Sequence, residues 1–294
     1  MKDFCIASPH KNVLWYDYRL YINLKEALTA LGYQYRAASK NRIYFLGGPQ
    51  RHFYPEVGKF DPSANNIALI YCHAEKLDNI KRFDKVFVCS EGVKLFLEQK
   101  RTQAEFKTSK QIDIIRPFSS LSPSNRTRPR YQCDVSFIGT PRVRPIVEAV
   151  LPIVEQNNLK FNIYGPNWDH YEGNPLAKSY WVARTVPYEE IPMLAKGSKI
   201  CLIDHHNMMN KMGTVSHKYV DFVMAGAFVI SDWNKDALGH YSGVCFENED
   251  SLANIVQKYL GSDMQRIEQQ RKQQEITQLQ TTKGVAETLA EQFI

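Results

Sequence analysis

Short apolar runs alternate along this chain with stretches of helical periodicity, and that alternation limits the folds open to it more than any other feature. Phe4-Cys5-Ile6-Ala7 reads as a strand. Leu20, Leu24, Ala27, Leu28 and Leu31 then recur at helical spacing, and Gly32 follows as a natural C-cap. Further strands are expected at residues 33–36, 43–46, 67–71, 85–89 and 112–115. Each is short, flanked by polar or Gly/Pro residues, and too apolar for a one-sided sheet, so they imply an α/β fold with a parallel sheet covered on both faces.

Between Phe118 and Arg130 the composition shifts to serine, proline and arginine, with little to bury and two prolines that resist helix. This marks a linker at residues 119–132. Beyond it the alternation restarts, with strands expected at 134–138, 160–164, 199–203, 227–231 and 244–246 and helices at 145–155, 188–195, 217–224 and 252–259. The chain's 294 residues suit two domains of Rossmann size, residues 1–118 and 133–262. From residue 263 to 294 the sequence is rich in glutamine and charge, and reads as a mostly exposed helical tail whose last turns (Leu289, Phe293, Ile294) dock on a domain.

With 44% hydrophobic and 23% charged residues, disordered, collagen-like and coiled-coil classes drop out. No apolar run reaches the ~18 residues of a spanning helix, and the first residues lack a signal-peptide layout, so a cytoplasmic chain is expected. The cysteines Cys5, Cys72, Cys89, Cys133, Cys201 and Cys245 are scattered singly, without a C-x-x-C pair, and read as reduced core thiols. The net charge of +6 suits an anionic substrate or an anionic membrane face better than nucleic acid, although on charge alone a basic surface kept for solubility is the preferred account.

The motifs narrow the chemistry first by their absence. Neither a P-loop, nor G-x-G-x-x-G after a strand, nor G-x-S-x-G, nor H-E-x-x-H, nor D-x-D occurs. A doubly wound protein of this kind must hold a nucleotide through helix N-termini and isolated basic residues. Residues 213–232, GTVSHKYVDFVMAGAFVISD, supply both, since a glycine loop opens a helix that closes at Gly226 and feeds a buried strand.

This segment resembles the donor-site segment of GT-B glycosyltransferases of the group 1 type, in the branch that includes spore-maturation, capsule and O-antigen enzymes. Residues 134–140 (DVSFIGT) and 161–168 (FNIYGPNW) are similar to the first two strands of the same domain. Residues 70–75 (IYCHAE) and 83–90 (FDKVFVCS) are similar to the acceptor-side segment. The resemblance implies two Rossmann-like domains facing each other across a cleft, with an acceptor-side first domain and a nucleotide-sugar-binding second domain. It assigns the nucleotide sugar to Gly139, Arg142, Arg144, Tyr164, Val186, Gly213, Thr214, His217, Lys218 and Asp221.

Independently of the family, Lys218 and Asp221 lie three apart and share one helix face, where a lysine can neutralise a diphosphate and an aspartate can accept from ribose hydroxyls. A plain surface ion pair is the competing account. Arg142 and Arg144 follow a strand's C-terminal end, where open α/β sheets place ligands. The extended Thr185-Val186-Pro187 can offer backbone groups to a nucleobase. His73, after a buried strand, is either a packed histidine or the catalytic residue that the resemblance implies faces the sugar. Asp17 is either a general base for the acceptor hydroxyl or a first-turn helix charge. His205, His206 and His217 lack ligand spacing, so no metal and no other cofactor is expected.

The function expected is metal-independent transfer of a sugar from a nucleotide sugar to a glycan or lipid-linked acceptor, at most peripheral to the inner membrane face, with no nucleic acid partner. A non-catalytic nucleotide-sugar-binding assembly subunit and a sugar-nucleotide epimerase or phosphorylase of the same fold are the alternatives.

Overall fold

The computed structural model describes residues 2–8, 16–46, 60–71, 73–77, 80, 82–102 and 111–294. Their contacts divide the chain into two compact units, the first formed by Met1–Ser120, Lys211–Thr214 and Gln280–Ile294, the second by Leu121–Asn210 and Val215–Leu279.

The first unit contains β1 (Asp3–Ala7), α1 (Tyr16–Ala30), β2 (Gln34–Tyr35), β3 (Asn41–Leu46), β4 (Asn65–Ile70), β5 (Lys85–Val88), α2 (Glu91–Thr102) and β6 (Ile112–Ile114). Its strands pair in parallel in the order β2-β1-β3-β4-β5-β6. β4 is buried along its whole length, as a strand covered on both faces must be. Gly32, just past α1, takes φ +90°, the left-handed conformation its place at the helix end demands.

The second unit runs through β7 (Cys133–Ile138), α3 (Pro145–Gln156), β8 (Phe161–Tyr164), β9 (Trp181–Ala183), α4 (Ile191–Gly197), β10 (Ser198–Ile203), α5 (Asn207–Lys211), α6 (His217–Met224), β11 (Val229–Asp232), α7 (Lys235–Gly239), β12 (Val244–Phe246), α8 (Glu249–Leu260) and α9 (Asp263–Thr277). The last residue of α5 counts with the first unit. The strand order β12-β11-β10-β7-β8-β9, all parallel, is the dinucleotide-fold order, and it reverses direction between β7 and β10. α3 buries Ile146, Val147, Val150, Leu151 and Val154 against that sheet's core.

The structure adds contacts to two expected segments. The segment read as a linker is packed on the second unit: Tyr131 is 1% exposed and the Thr127 hydroxyl donates to the Met193 carbonyl at 2.7 Å. The tail divides at Leu279, and α9, mostly exposed as expected, is nevertheless held to the second unit, because its glutamine amides take up main-chain groups there. Gln273, fully buried, accepts from the Val229 N–H at 3.2 Å and donates to the Val229 carbonyl at 2.9 Å. Gln269 donates to the Ser242 carbonyl and Gln270 to that of Gly226. A polar helix is thus docked by hydrogen bonds where an apolar stripe is lacking. The last helix, α10 (Thr282–Ala290), belongs to the first unit, with Leu289 and Phe293 buried and Ile294 80% exposed.

Five cysteines are free, four of them buried, and Cys72 lies outside the described residues. Burial pushes the Cys5 and Cys133 thiols up to about 11, which keeps them protonated and inert. No described helix is long and apolar enough to cross a membrane.

Candidate active site

In the second unit the chain segments after β7 and β10 meet at the point where the strand order reverses. Beyond β7, the Gly139 N–H donates to the Tyr164 carbonyl at 2.9 Å, and its own carbonyl accepts from Trp168 Nε1 at 2.9 Å. Gly165, at φ +139°, lies so close that a Cβ there would stand 1.9 Å from the Gly139 oxygen. A Cβ on Gly139 itself would press on the Phe137 ring at 2.9 Å. This turn therefore needs glycine.

The residues that follow the turn are cationic. Arg144, buried at the start of α3, places Nη1 2.9 and 2.7 Å from the two carboxylate oxygens of Asp204, and its Nε donates to the Thr140 carbonyl at 2.9 Å. Arg142, with 43% of its side chain exposed, reaches Asp204 Oδ2 at 3.2 Å and the His205 carbonyl at 3.4 Å. Lys218 on α6 donates to the Ile138 carbonyl at 2.6 Å and stands 4.0 Å from Asp204 Oδ1. Three cations thus share one carboxylate that is 4% exposed. Burial works against the ionisation of Asp204, and the charges of Lys218, Arg144 and Arg142 override it, holding the carboxyl below its ordinary range. Although 28% of the Lys218 side chain is open, desolvation of its ammonium pushes it down to about 8, against the pull of Asp204.

The remaining expected contacts fall elsewhere. Asp221 accepts from the Tyr188 hydroxyl at 2.9 Å. Tyr164 is fully buried and its hydroxyl donates to the Arg130 carbonyl at 2.8 Å, so it is a core residue and not an open contact. Val186 is half-buried in the extended stretch before the turn at Tyr188–Glu190. His217 is 8% exposed, and burial pushes its imidazole down to about 3, which leaves it neutral and inside the fold. Gly213 takes φ +60° and, with Thr214, packs in the first unit. Thr214 is 2% exposed and its hydroxyl shares a 2.8 Å hydrogen bond with Ser90, a packing role where a donor contact was expected. Its place beside Ser90 depends on contacts 124 residues away in sequence, which no local signal records.

Among the three histidines set aside as metal ligands, the His205 Nδ1 lies 2.6 Å from Asp232 Oδ1, His206 is exposed and His217 is in α6. No group of three His, Cys, Asp or Glu able to hold a metal occurs among the described residues.

In the first unit, His73 follows β4 with a left-handed backbone, φ 51° and ψ 32°. Its Nδ1 lies 3.3 Å from Glu75 Oε1, and a third of its side chain is exposed. A non-glycine residue held in this conformation carries strain, which accumulates at functional positions. Asp17 is the second residue of α1, and its side chain lies outside the described residues. Sequence reasoning missed Asp204 and Glu75. Asp204 carries a readable signal, an acidic residue at the end of an apolar strand, next to His205.

A family model described as glycosyl transferase-like matches residues 142–291. Among solved structures, a sucrose-phosphate synthase from Thermosynechococcus elongatus superposes with a TM-score of 0.64 at 12% identity, covering 99% of this chain and 98% of that one. A DNA-modifying β-glucosyltransferase gives a TM-score of 0.60 at 14% identity, covering 99% and 97%. TarM from S. aureus gives 0.60 at 16%, covering 93% of this chain and 57% of its own. None of the curated proteins matches in sequence. The fold likeness spans both units, and the family match covers α3, the whole β10-to-β11 segment and the three cations around Asp204. On these grounds the chain belongs to the glycosyl transferase-like family and is a glycosyltransferase of the GT-B fold.

Proposed function

We propose that this enzyme transfers a sugar from a nucleoside-diphosphate sugar to a glycan or lipid-linked acceptor without a bound metal. The observation that carries the reading is the cationic cluster of Arg142, Arg144 and Lys218 around Asp204, set where the strand order reverses. When the glycosidic bond breaks, the leaving diphosphate gains negative charge, and fixed cations stabilise it without reorganising. Arg142 and Lys218 are the partly exposed members and are the ones that would meet it, whereas buried Arg144 supports them.

On the acceptor side the reading assigns chemistry to His73. With Glu75 accepting from Nδ1–H, Nε2 of a neutral imidazole is left as a proton acceptor for a sugar hydroxyl. Two structural neighbours favour uridine donors: T4 phage β-glucosyltransferase was solved with UDP-glucose, and pneumococcal GtfA with UDP and GlcNAc.

The test is a thermal-shift screen of UDP, GDP, dTDP and CMP, followed by turnover of the matching nucleotide sugar with candidate acceptors. A nucleotide present at about a hundred times its Kd stabilises by roughly 2.7 kcal/mol, so a clear rise in Tm is expected for one diphosphate. A flat response to all four would remove the donor-site assignment.

A further inference from the structure

Arg142 and Lys218 are like charges, and bringing them together has an electrostatic cost that the free protein must offset before any ligand arrives. Asp204 supplies the offset. Its carboxylate cannot swing away, because Arg144 Nη1 holds both oxygens and Arg144 is itself fixed to Thr140 through Nε and Nη2, each at 2.9 Å. Its backbone is equally fixed. The next residue, His205, donates its N–H to both Asp232 oxygens at 3.2 Å and places Nδ1 2.6 Å from Oδ1, and Asn210 Nδ2 donates to Asp232 Oδ2 at 2.8 Å.

We propose that Asp204 is the positioning residue of this site, fixed by the Asp232-braced turn so that it gathers Arg142 and Lys218 into a preformed cradle for a diphosphate. The proposal rests on the donor reading above. Three cations and one carboxylate leave a local charge of +2, and its two partly exposed cations, Arg142 and Lys218, can each take one phosphate of a diphosphate, where a monophosphate offers only one. Asp204 also keeps Lys218 charged. The groups that act on that ammonium are Asp204 and Asp232, which favour the charged form, and Arg144 and Arg142, which oppose it. On α6 itself His217 is neutral and Asp221 is bonded by Tyr188. Removing the Asp204 charge therefore lowers the Lys218 pKa further, towards working pH.

The experiment is calorimetric titration of the full chain with UDP, GDP and dTDP, each beside its monophosphate, from about pH 6 to about pH 9. The wild type is expected to prefer a diphosphate and to lose affinity as pH rises through about 8. In Asp204→Asn the diphosphate affinity at neutral pH should fall at least ~10-fold, and the falling limb should move to lower pH by about one unit. Asp204→Asn leaves Arg144 buried without a counter-charge. The double variant Arg144→Met/Asp204→Asn removes that pair together; losing Arg144 favours the Lys218 ammonium and offsets the loss of Asp204, so the limb is expected to move less there than in Asp204→Asn while the diphosphate affinity still falls. Equal or tighter binding with an unmoved limb, in whichever variant folds, overturns the positioning role while the donor reading stands. A wild type that binds none of the three diphosphates overturns the donor reading itself.

Discussion

The Tyr188 hydroxyl donates to Asp221 Oδ1 at 2.9 Å, so the acidic residue of α6 is tied to the turn before α4, while Lys218 one helical turn earlier reaches the Ile138 carbonyl and Asp204. The two residues share a helix but serve different partners. Lys218→Ala should weaken diphosphate binding by roughly ten- to a hundredfold, the loss of one charged contact of ~1.5–3 kcal/mol, with little change in Tm. In a double-mutant cycle with Asp221→Ala, the stability changes should add to within about 0.5 kcal/mol. A larger coupling would mean that the two act as an ion pair after all.

His73 and Glu75 provide a second test, in the first unit. His73→Ala should lower kcat on the order of a hundredfold while leaving diphosphate affinity and Tm near wild type. Glu75→Gln should lower kcat less and shift the pH–rate profile, since the glutamine still accepts from Nδ1–H but carries no charge. If His73→Ala instead lowers Tm and weakens binding and turnover together, the residue is structural and Asp17 inherits the catalytic assignment.

The buried imidazole of His217 gives stability a predictable pH dependence. Its folded-state pKa of about 3 lies below the unfolded value of 6.5, so between these limits the unfolded chain takes up a proton that the folded chain refuses. Stability is unaffected above that window and is lost as pH falls through it, at about 1.4 kcal/mol per pH unit. Urea unfolding at neutral pH and near pH 5 should show this slope. His217→Gln should flatten it.

Gly165 is fixed by geometry, with φ +139° and the Gly139 oxygen 1.9 Å from where a Cβ would stand. Gly165→Ala should destabilise the second unit by about 3 kcal/mol or more, because backbone has to move at the end of β8. Diphosphate affinity should fall as well, since the displaced atom belongs to the turn that leads to Arg142 and Arg144. A variant with wild-type Tm would show that the turn yields easily.

Chelation should leave turnover intact. The site's described charges are cationic around a single buried carboxylate, with no set of acidic or histidine ligands to hold a divalent ion on the diphosphate. Activity abolished by EDTA and restored by Mn²⁺ or Mg²⁺ would require a different donor geometry.

The strands of both sheets were legible because each is a continuous apolar run that only burial on two faces can satisfy, and a helix such as α6 was legible because a glycine loop opens it and Gly226 closes it. β9 was not, because Trp181–Ala183 is short and half-exposed and its pairing with β8 is the only thing that makes it a strand. The cations Arg142, Arg144 and Lys218 could be named from their places after a strand and in a helix. Their common partner could not, because Asp204 lies 60 residues beyond Arg144 and meets it only when β10 pairs with β7. The same reason hides the docking of α9: its glutamines look like solvent-facing side chains until Val229, Gly226 and Ser242 present main-chain groups to them. Periodicity and punctuation act between near neighbours and are written in the chain. The pairing of buried charges and amides is set by which strands lie side by side, and that is decided by the tertiary fold.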